Sequence, residues 1–171
     1  MKKILVNVVH PNLENDSRIN KKLVEFIQNE QNVTINNLYK KYPDFKIDIK
    51  KEQDLLLEND VIIFQFPMYW FSSPALLKEY IDLVLEENFA YGRNNEDLNF
   101  KLKNKTLAVC TTLGLGEKEI NVENVLKPFE LTAEYIKMSY KSPFLVYETY
   151  VINNEDLRKR AKDYINFLKE L

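Results

Sequence analysis

The sequence predicts an α/β fold, a three-layer sandwich in which a five-stranded parallel sheet of order 2-1-3-4-5 carries helices on both faces. Three observations predict it. Apolar runs of strand length alternate with helix-patterned segments from end to end. Two of those runs, Val61 to Phe66 and Thr106 to Cys110, are almost continuously apolar, as strands covered on both faces are. A length of 171 residues with 45% hydrophobic content suits one domain, residues 1–171, around a sizeable core. Parallel neighbours need right-handed crossovers, and these place the helices on both sides of the sheet.

Each element has its own signal. Ile4 to Val9 is the first strand. Arg18 to Asn29 is a helix with Leu23, Phe26 and Ile27 on its apolar face. Val33 to Tyr39 is the second strand, and an irregular segment, Lys40 to Lys50, follows it. A short helix over Glu52 to Glu58 leads into the third strand, which Pro67 stops. Ser73 and Pro74 are the expected N-cap and first residue of the next helix, through Leu76, Leu77, Tyr80, Ile81 and Leu85. Glu86 to Asn104 is a long polar connection containing Phe89, Ala90, Tyr91 and Gly92. Thr106 to Thr112 is the fourth strand, and Val122 to Met138 is helical despite Pro128. Phe144 to Val151 is the expected fifth strand. Asn153 or Asn154 caps the last helix, whose Leu157, Ala161, Tyr164, Ile165 and Leu168 share one face.

Composition excludes several functions. A formal net charge of −2 carries no nucleic-acid signature. The Lys101-Leu102-Lys103-Asn104-Lys105 stretch suits an exposed turn before a strand better than an anion patch. The single cysteine, Cys110, precludes an intramolecular disulfide and sits in an apolar run as a small core residue. The start, Met1-Lys2-Lys3-Ile4-Leu5-Val6, imitates a signal peptide, but Asn7 and His10-Pro11 break it and no cleavage site follows. No apolar run approaches the roughly 20 residues that span a bilayer. The expectation is a cytoplasmic protein without a metal site.

In such a sheet, ligands bind beyond the carboxyl ends of the strands, at the switch point between strands 1 and 3. Three loops converge there. The first, His10 to Asn20, opens a helix whose first turn holds Ser17, Arg18, Ile19 and Asn20. Free N–H groups there, beside imidazole, hydroxyl and amide donors, suit a phosphate; alternatively, Ser17 is only an N-cap and His10 a turn residue. The loop has neither a glycine-rich dinucleotide fingerprint nor a P-loop lysine. The second, Pro67-Met68-Tyr69-Trp70-Phe71, exposes large apolar side chains that a flat, partly apolar ligand such as a flavin ring would cover. Trp70, the sole tryptophan, and the backbone from Pro67 are expected to face that ligand. Tyr69 and Phe71 are expected at a dimer contact or the pocket mouth. The third, Thr111-Thr112-Leu113-Gly114-Leu115-Gly116, holds two of the chain's three glycines and offers N–H groups and hydroxyls to a polar ring edge.

Together these segments resemble the flavodoxin-like NAD(P)H:quinone oxidoreductases, including the bacterial branch associated with glutathione-gated potassium efflux. The resemblance spans nearly the whole chain. It shows in His10-Pro11, Ser17 with Asn20, Leu38-Tyr39, Tyr42-Pro43-Asp44-Phe45, Ile47-Asp48 and Glu52-Gln53. It continues in Phe64 to Trp70, Pro74 with Leu76-Leu77-Lys78, Ile81-Asp82, Phe89-Ala90-Tyr91-Gly92 and Thr111-Thr112. It implies noncovalent FMN, or alternatively FAD, with NAD(P)H as electron donor and a quinone-like acceptor. It also implies a homodimer with active sites at the interface. His10 and Ser17 to Asn20 would hold the phosphate, Pro67 to Trp70 would lie along the ring, and Thr111 to Gly114 would meet its polar edge. Tyr91 matches a tyrosine that lines the substrate pocket from the partner subunit. Peripheral association with a membrane transporter is implied only by that branch.

The third loop departs from the resemblance. Leu113 replaces the first glycine of a usual Thr-Thr-Gly-Gly, so it offers its N–H only where φ stays negative, and its bulk narrows the space over the ring. Some relatives carry a tyrosine and a histidine further along this loop; here the residues are Glu117-Lys118-Glu119-Ile120. A flavodoxin-type electron carrier fits less well, because the acidic surface and Thr-Gly phosphate loop it needs are missing. A flavin-binding redox-sensing subunit with little turnover is the other reading.

Overall fold

The computed structural model describes residues 1–93 and 99–171. The middle of the predicted 86–104 connection, residues 94–98, lies outside the described residues. Six parallel strands form the sheet: β1 (Ile4–Val8), β2 (Val33–Asn37), β3 (Val61–Pro67), β4 (Thr106–Thr112), β5 (Ser139–Tyr140) and β6 (Phe144–Val146). Their order is β2-β1-β3-β4-β5, with β6 pairing β4 beyond β5. The helices are α1 (Ile19–Ile27), α2 (Leu38–Lys41), α3 (Ile49–Glu58), α4 (Ala75–Val84), α5 (Val122–Tyr135) and α6 (Asn154–Glu170).

Strand alternation divides the core into two layers. Val6, Ile63, Ala108 and Cys110 face α1 and α6, where Leu23, Ile27, Leu157, Ala161 and Tyr164 bury their side chains. Leu5, Ile62, Phe64, Phe66 and Val109 face Leu56, Leu76, Leu77, Tyr80 and Phe129. Each fully buried aliphatic side chain contributes about 1.5–3 kcal/mol. Cys110 is a buried core residue whose thiol burial pushes well up.

Several boundaries differ from expectation. The fifth strand divides: β5 pairs with Thr106 and Leu107, β6 with Cys110 to Thr112, and Pro143, which has no N–H, lies between them. Residues 147–151 are loop rather than strand. Pro74, not Ser73, occupies the N-cap position of α4, and no side chain caps it. The second strand stops at Asn37, so Leu38 and Tyr39 begin α2, and the segment expected to be irregular holds the end of α2 and the start of α3; their N-caps Asn37 and Asp48 accept from the N–H of Lys40 and Lys51. The α5 helix ends at Tyr135 rather than Met138. Asn153 caps α6 by accepting from the Asp156 N–H at 2.9 Å.

The Lys101–Lys105 stretch carries structural contacts. Lys105 Nζ donates to the carbonyls of Leu57 and Asn59 at the end of α3, and Lys101 lies over the Phe89 ring. One buried ionic group underlies the site end of the sheet. The fully buried Glu52 carboxylate accepts from Asn36 Nδ2 at 2.7 Å, Tyr42 OH at 2.6 Å and Lys41 Nζ at 2.5 Å. Asn36 Nδ2 also donates to Asn7 Oδ1 at 2.8 Å, which ties α2 and α3 to β1 and β2. Among the described residues no helix is long and apolar enough to cross a membrane, and no group of three or more His, Cys, Asp or Glu is placed to hold a metal ion.

Candidate active site

Because every strand is parallel, the loops after β1, β3 and β4 leave the same edge of the sheet. The β1–α1 loop supplies donors. His10 is buried, and its Nδ1 accepts from the Asn12 N–H at 3.1 Å, which leaves the proton on Nε2 as a donor. Burial lowers the His10 pKa, opposed by the nearby Asp16 carboxylate, so the ring favours its neutral form. Ser17 is also buried, and Arg18 rather than Ser17 occupies the N-cap position of α1; Ser17 Oγ accepts from the Lys21 N–H at 3.2 Å, while its hydroxyl hydrogen stays available. The first N–H groups of α1 have no intrahelical acceptor, which gives an anion a set of main-chain donors. Arg18 turns outward to Asn154 Oδ1 at 2.8 Å, joining the starts of α1 and α6. Ile19 packs its side chain into the α1–α6 core, so only its main chain serves the site.

Asn20 is placed differently from expectation. It is 2% exposed and acts as a strut between strands rather than as an open donor. Its Nδ2 donates to Thr112 Oγ1 at 3.0 Å, while Gln65 Nε2 donates to its Oδ1 at 3.3 Å and its carbonyl at 3.1 Å. Thr112 Oγ1 therefore accepts internally and directs its own hydrogen elsewhere. Sequence reasoning missed Gln65, although a fully buried glutamine inside an apolar strand was the available signal.

The aromatic loop is a two-residue turn. Tyr69 and Ser72 exchange both main-chain hydrogen bonds, at 2.9 and 3.0 Å, and Trp70 and Phe71 between them have φ of 50° and 60°. Positive φ at both central positions is the type I′ signature, normally met by Asn and Gly. Bulky residues there cost of order 1–3 kcal/mol each, a strain that tends to mark functional sites. The turn holds Trp70 95% exposed and Phe71 59% exposed. Met68 N–H donates to the Thr112 carbonyl at 2.9 Å, fixing the loop against β4.

A cleft of about 400 Å³ lies here, lined by Met68, Trp70, Phe71, Leu113, Gly114, Leu115 and Tyr150. Phe71 thus joins Trp70 on the cleft wall. Tyr69 does not line it, and burial raises the pKa of its phenol. Pro67 ends β3 and is buried. Thr111 is fully buried, and its Oγ1 has no hydrogen-bond partner. Leu113 meets the condition on its backbone, since its φ is not positive, but its side chain is 2% exposed and its N–H donates to the Val146 carbonyl at 2.8 Å instead of staying open to a ring edge. The N–H of Leu113 is therefore occupied, and that of Gly114 takes no main-chain partner among the described residues.

Tyr91 stands apart from these residues. It lies against Tyr135, ring centroids 5.8 Å apart, in a groove of about 810 Å³ between α4 and α5 that also exposes Leu131. Within one chain the structure brings together the His10, Ser17–Asn20, Met68–Phe71 and Thr112–Gly114 groups, but not Tyr91.

The family described as Flavodoxin_2, flavodoxin-like fold, matches residues 2–168. A Bacillus subtilis (strain 168) protein named as an uncharacterized NAD(P)H oxidoreductase, YrkL, is 41% identical over 175 residues, covering 98% of each chain. The glutathione-regulated potassium-efflux system ancillary protein KefG of Yersinia pseudotuberculosis is 37% identical over 171 residues, covering 98% of this chain and 93% of that one. The crystal structure of general stress protein 14 from Treponema denticola, in complex with FMN, superposes with a TM-score of 0.87 at 33% identity, covering 98% of each chain.

Proposed function

This chain belongs to the flavodoxin-like family, and on that premise we propose that it is an NAD(P)H-dependent flavoprotein oxidoreductase, using FMN to reduce quinone-like acceptors by two electrons. One observation carries the reading. A helix start built for an anion and a strained aromatic cleft built for a flat ring lie at the same edge of the sheet, as the two ends of FMN require.

The residues fit that group. The Lys21 N–H is taken by Ser17 Oγ, but the N–H groups before it at the start of α1, the Ser17 hydroxyl and the His10 Nε2–H have no acceptor among the described residues and suit a phosphate. The Gln65–Asn20–Thr112 strut fixes the direction of the Thr112 hydroxyl between the phosphate end and the ring end. Met68, Trp70 and Phe71 would give the ring an apolar wall, and the Gly114 N–H would serve its polar edge. FMN, when bound, supplies the hydride relay between NAD(P)H and the acceptor. The chain's part is to bind, orient and shield: donor and acceptor use the same cleft in turn, and the apolar wall keeps water from the ring face. The oriented N–H groups would stabilise negative charge at that polar edge.

A homodimer in the cytoplasm belongs to the same reading. The groove holding Tyr91, with exposed Leu131 and Tyr135 beside it, supports a contact between copies. The test is the visible spectrum of the purified protein. Flavin absorbance, bleached anaerobically by NADPH or NADH and restored by a naphthoquinone, is the expected result. A colourless protein that takes up neither FMN nor FAD would remove the reading. A second reading, an accessory subunit of a potassium-efflux system with little turnover, is favoured by the likeness to KefG. It predicts bound flavin without sustained quinone turnover.

A further inference from the structure

One side chain that the sequence gives no role stands in the cleft. Tyr150 lies on the loop between β6 and α6, which main-chain bonds fasten to the loop after β4. Glu148 N–H donates to the Leu115 carbonyl at 3.1 Å and Thr149 N–H to the Leu113 carbonyl at 3.0 Å. Val151 and Ile152 N–H both return to the Glu148 carbonyl at 3.0 Å, with Glu148 itself at φ 53°. The backbone beneath Tyr150 is thus tied on both sides.

Its ring rests on Gly114. A Cβ at residue 114 would lie 2.4 Å from Tyr150 Cε2 and 3.1 Å from Cδ2. Gly114 does not have positive φ, so its missing side chain makes room for the ring rather than for a special backbone. The tyrosine remains 90% exposed, as Trp70 is 95% exposed, on the lining of the same cleft. Met68, Phe71, Leu113, Gly114 and Leu115 complete that lining, so Tyr150 brings its only side-chain hydroxyl. Two well-anchored loops therefore hold aromatic side chains out of the core around one apolar slot.

We propose that Tyr150 is a specificity-determining residue: it forms one side of an aromatic clamp, with Trp70 and Phe71 as the other, that grips a planar conjugated ring bearing carbonyl oxygens. Two sources share that chemistry, the flavin ring of the proposed function and the acceptor stacked upon it. A tyrosine ring suits both, since it offers a π-face for stacking and a hydroxyl for a carbonyl oxygen. The identity of the ring rests on the flavin reading; the clamp itself does not.

The sole tryptophan gives a direct readout, because Trp70 fluorescence reports what enters the cleft without turnover. FMN is titrated into the protein freed of flavin, and a 1,4-naphthoquinone into the FMN-loaded protein without NAD(P)H. Tyr150→Ala is expected to weaken one of the two by on the order of tenfold, in line with loss of an aromatic stack. Tyr150→Phe, which keeps the ring, is expected to stay within a few-fold of wild type. Weaker FMN binding identifies the flavin as the clamped ring; weaker naphthoquinone binding with unchanged FMN affinity identifies the acceptor. The proposal is overturned if Tyr150→Ala leaves both affinities within twofold, or if Tyr150→Phe loses as much as Tyr150→Ala. If wild-type protein binds no FMN, the flavin reading fails, and naphthoquinone titrated into the bare protein still decides the clamp by the same criteria. Because Tyr150 is 90% exposed, its truncation opens no core, and an unchanged melting temperature verifies this.

Discussion

Gln65→Met removes both donors of a fully buried amide while keeping an unbranched side chain of similar length. In the wild type, Gln65 Nε2 serves the Asn20 carbonyl at 3.1 Å and Asn20 Oδ1 at 3.3 Å, whereas its own Oε1 has no partner. The substitution leaves Asn20 bonded to Thr112 but strands its Oδ1 in a site that is 2% exposed. A buried acceptor without a donor costs about 1–3 kcal/mol. Loss of the unpaired Oε1 offsets part of that, so the net destabilisation is about 1–2 kcal/mol by the same reckoning. At about 2–4 °C per kcal/mol for a chain of this size, the flavin-free melting temperature falls by roughly 2–8 °C. With Asn20 loosened, the Thr112 hydroxyl loses its fixed direction, and FMN affinity falls on the order of tenfold, about 1.4 kcal/mol. The assay is a double-mutant cycle with Thr112→Val, read by FMN titration and thermal melting. In the Thr112→Val background, Gln65→Met should still lower the melting temperature but should cost no further FMN affinity. An equal affinity loss in both backgrounds would refute the strut.

Three further outcomes follow from other parts of the molecule. Glu52→Leu removes the shared acceptor of Lys41, Tyr42 and Asn36; with Lys41 part-exposed and able to reach water, unfolding free energy should fall by about 3 kcal/mol, and an unchanged melting temperature would show the group to be dispensable. His10, the only histidine, has a folded pKa below its unfolded value near 6.5, so the unfolded chain binds more protons between the two. Its contribution is present above about pH 6.5 and is lost as pH falls through the folded pKa. Comparison of wild type with His10→Gln by denaturant unfolding at pH 7 and pH 5.5 should show a smaller loss in the variant; FMN, but not riboflavin, should reduce the wild-type slope by drawing the imidazolium to its phosphate. Gly114→Ala should displace the Tyr150 ring and weaken ring binding severalfold with little change in melting temperature, because that tyrosine is free to swing into solvent; full retention of affinity would dissociate Gly114 from the clamp.

Much of the sheet and its site edge is legible in the sequence because its signals are strong and local. The strand expected over Thr106 to Thr112 coincides with β4, and the donors around His10 gather before a helix start. The misses have physical causes. A strand running through to Val151 assigns alternate residues to a sheet, and nothing local reveals that β6 stops at Val146 to bind the Leu113 N–H. Hence Tyr150 carries no signal until its loop is seen. The type I′ turn lacks the Asn and Gly that normally announce it, so nothing in the residue pattern tells which aromatic faces the cleft and which turns away. Asn20 has the residue type of a ligand donor, and only its burial against Thr112 and Gln65 reveals a strut. Leu113 has a negative φ and an internal N–H bond, both fixed by the tertiary contact with Val146.

The turn at Trp70 and Phe71 sets stability and activity against each other. Two bulky residues in left-handed conformations store of order 1–3 kcal/mol each, and Asn-Gly at those two positions would release it. A selection for thermal tolerance alone would therefore favour that dipeptide and, in doing so, strip away the aromatic wall. By this logic, the aromatic pair persists only under pressure from whatever ring it holds, and a chain released from that pressure would be expected to lose Trp70 and Phe71 before it lost its fold.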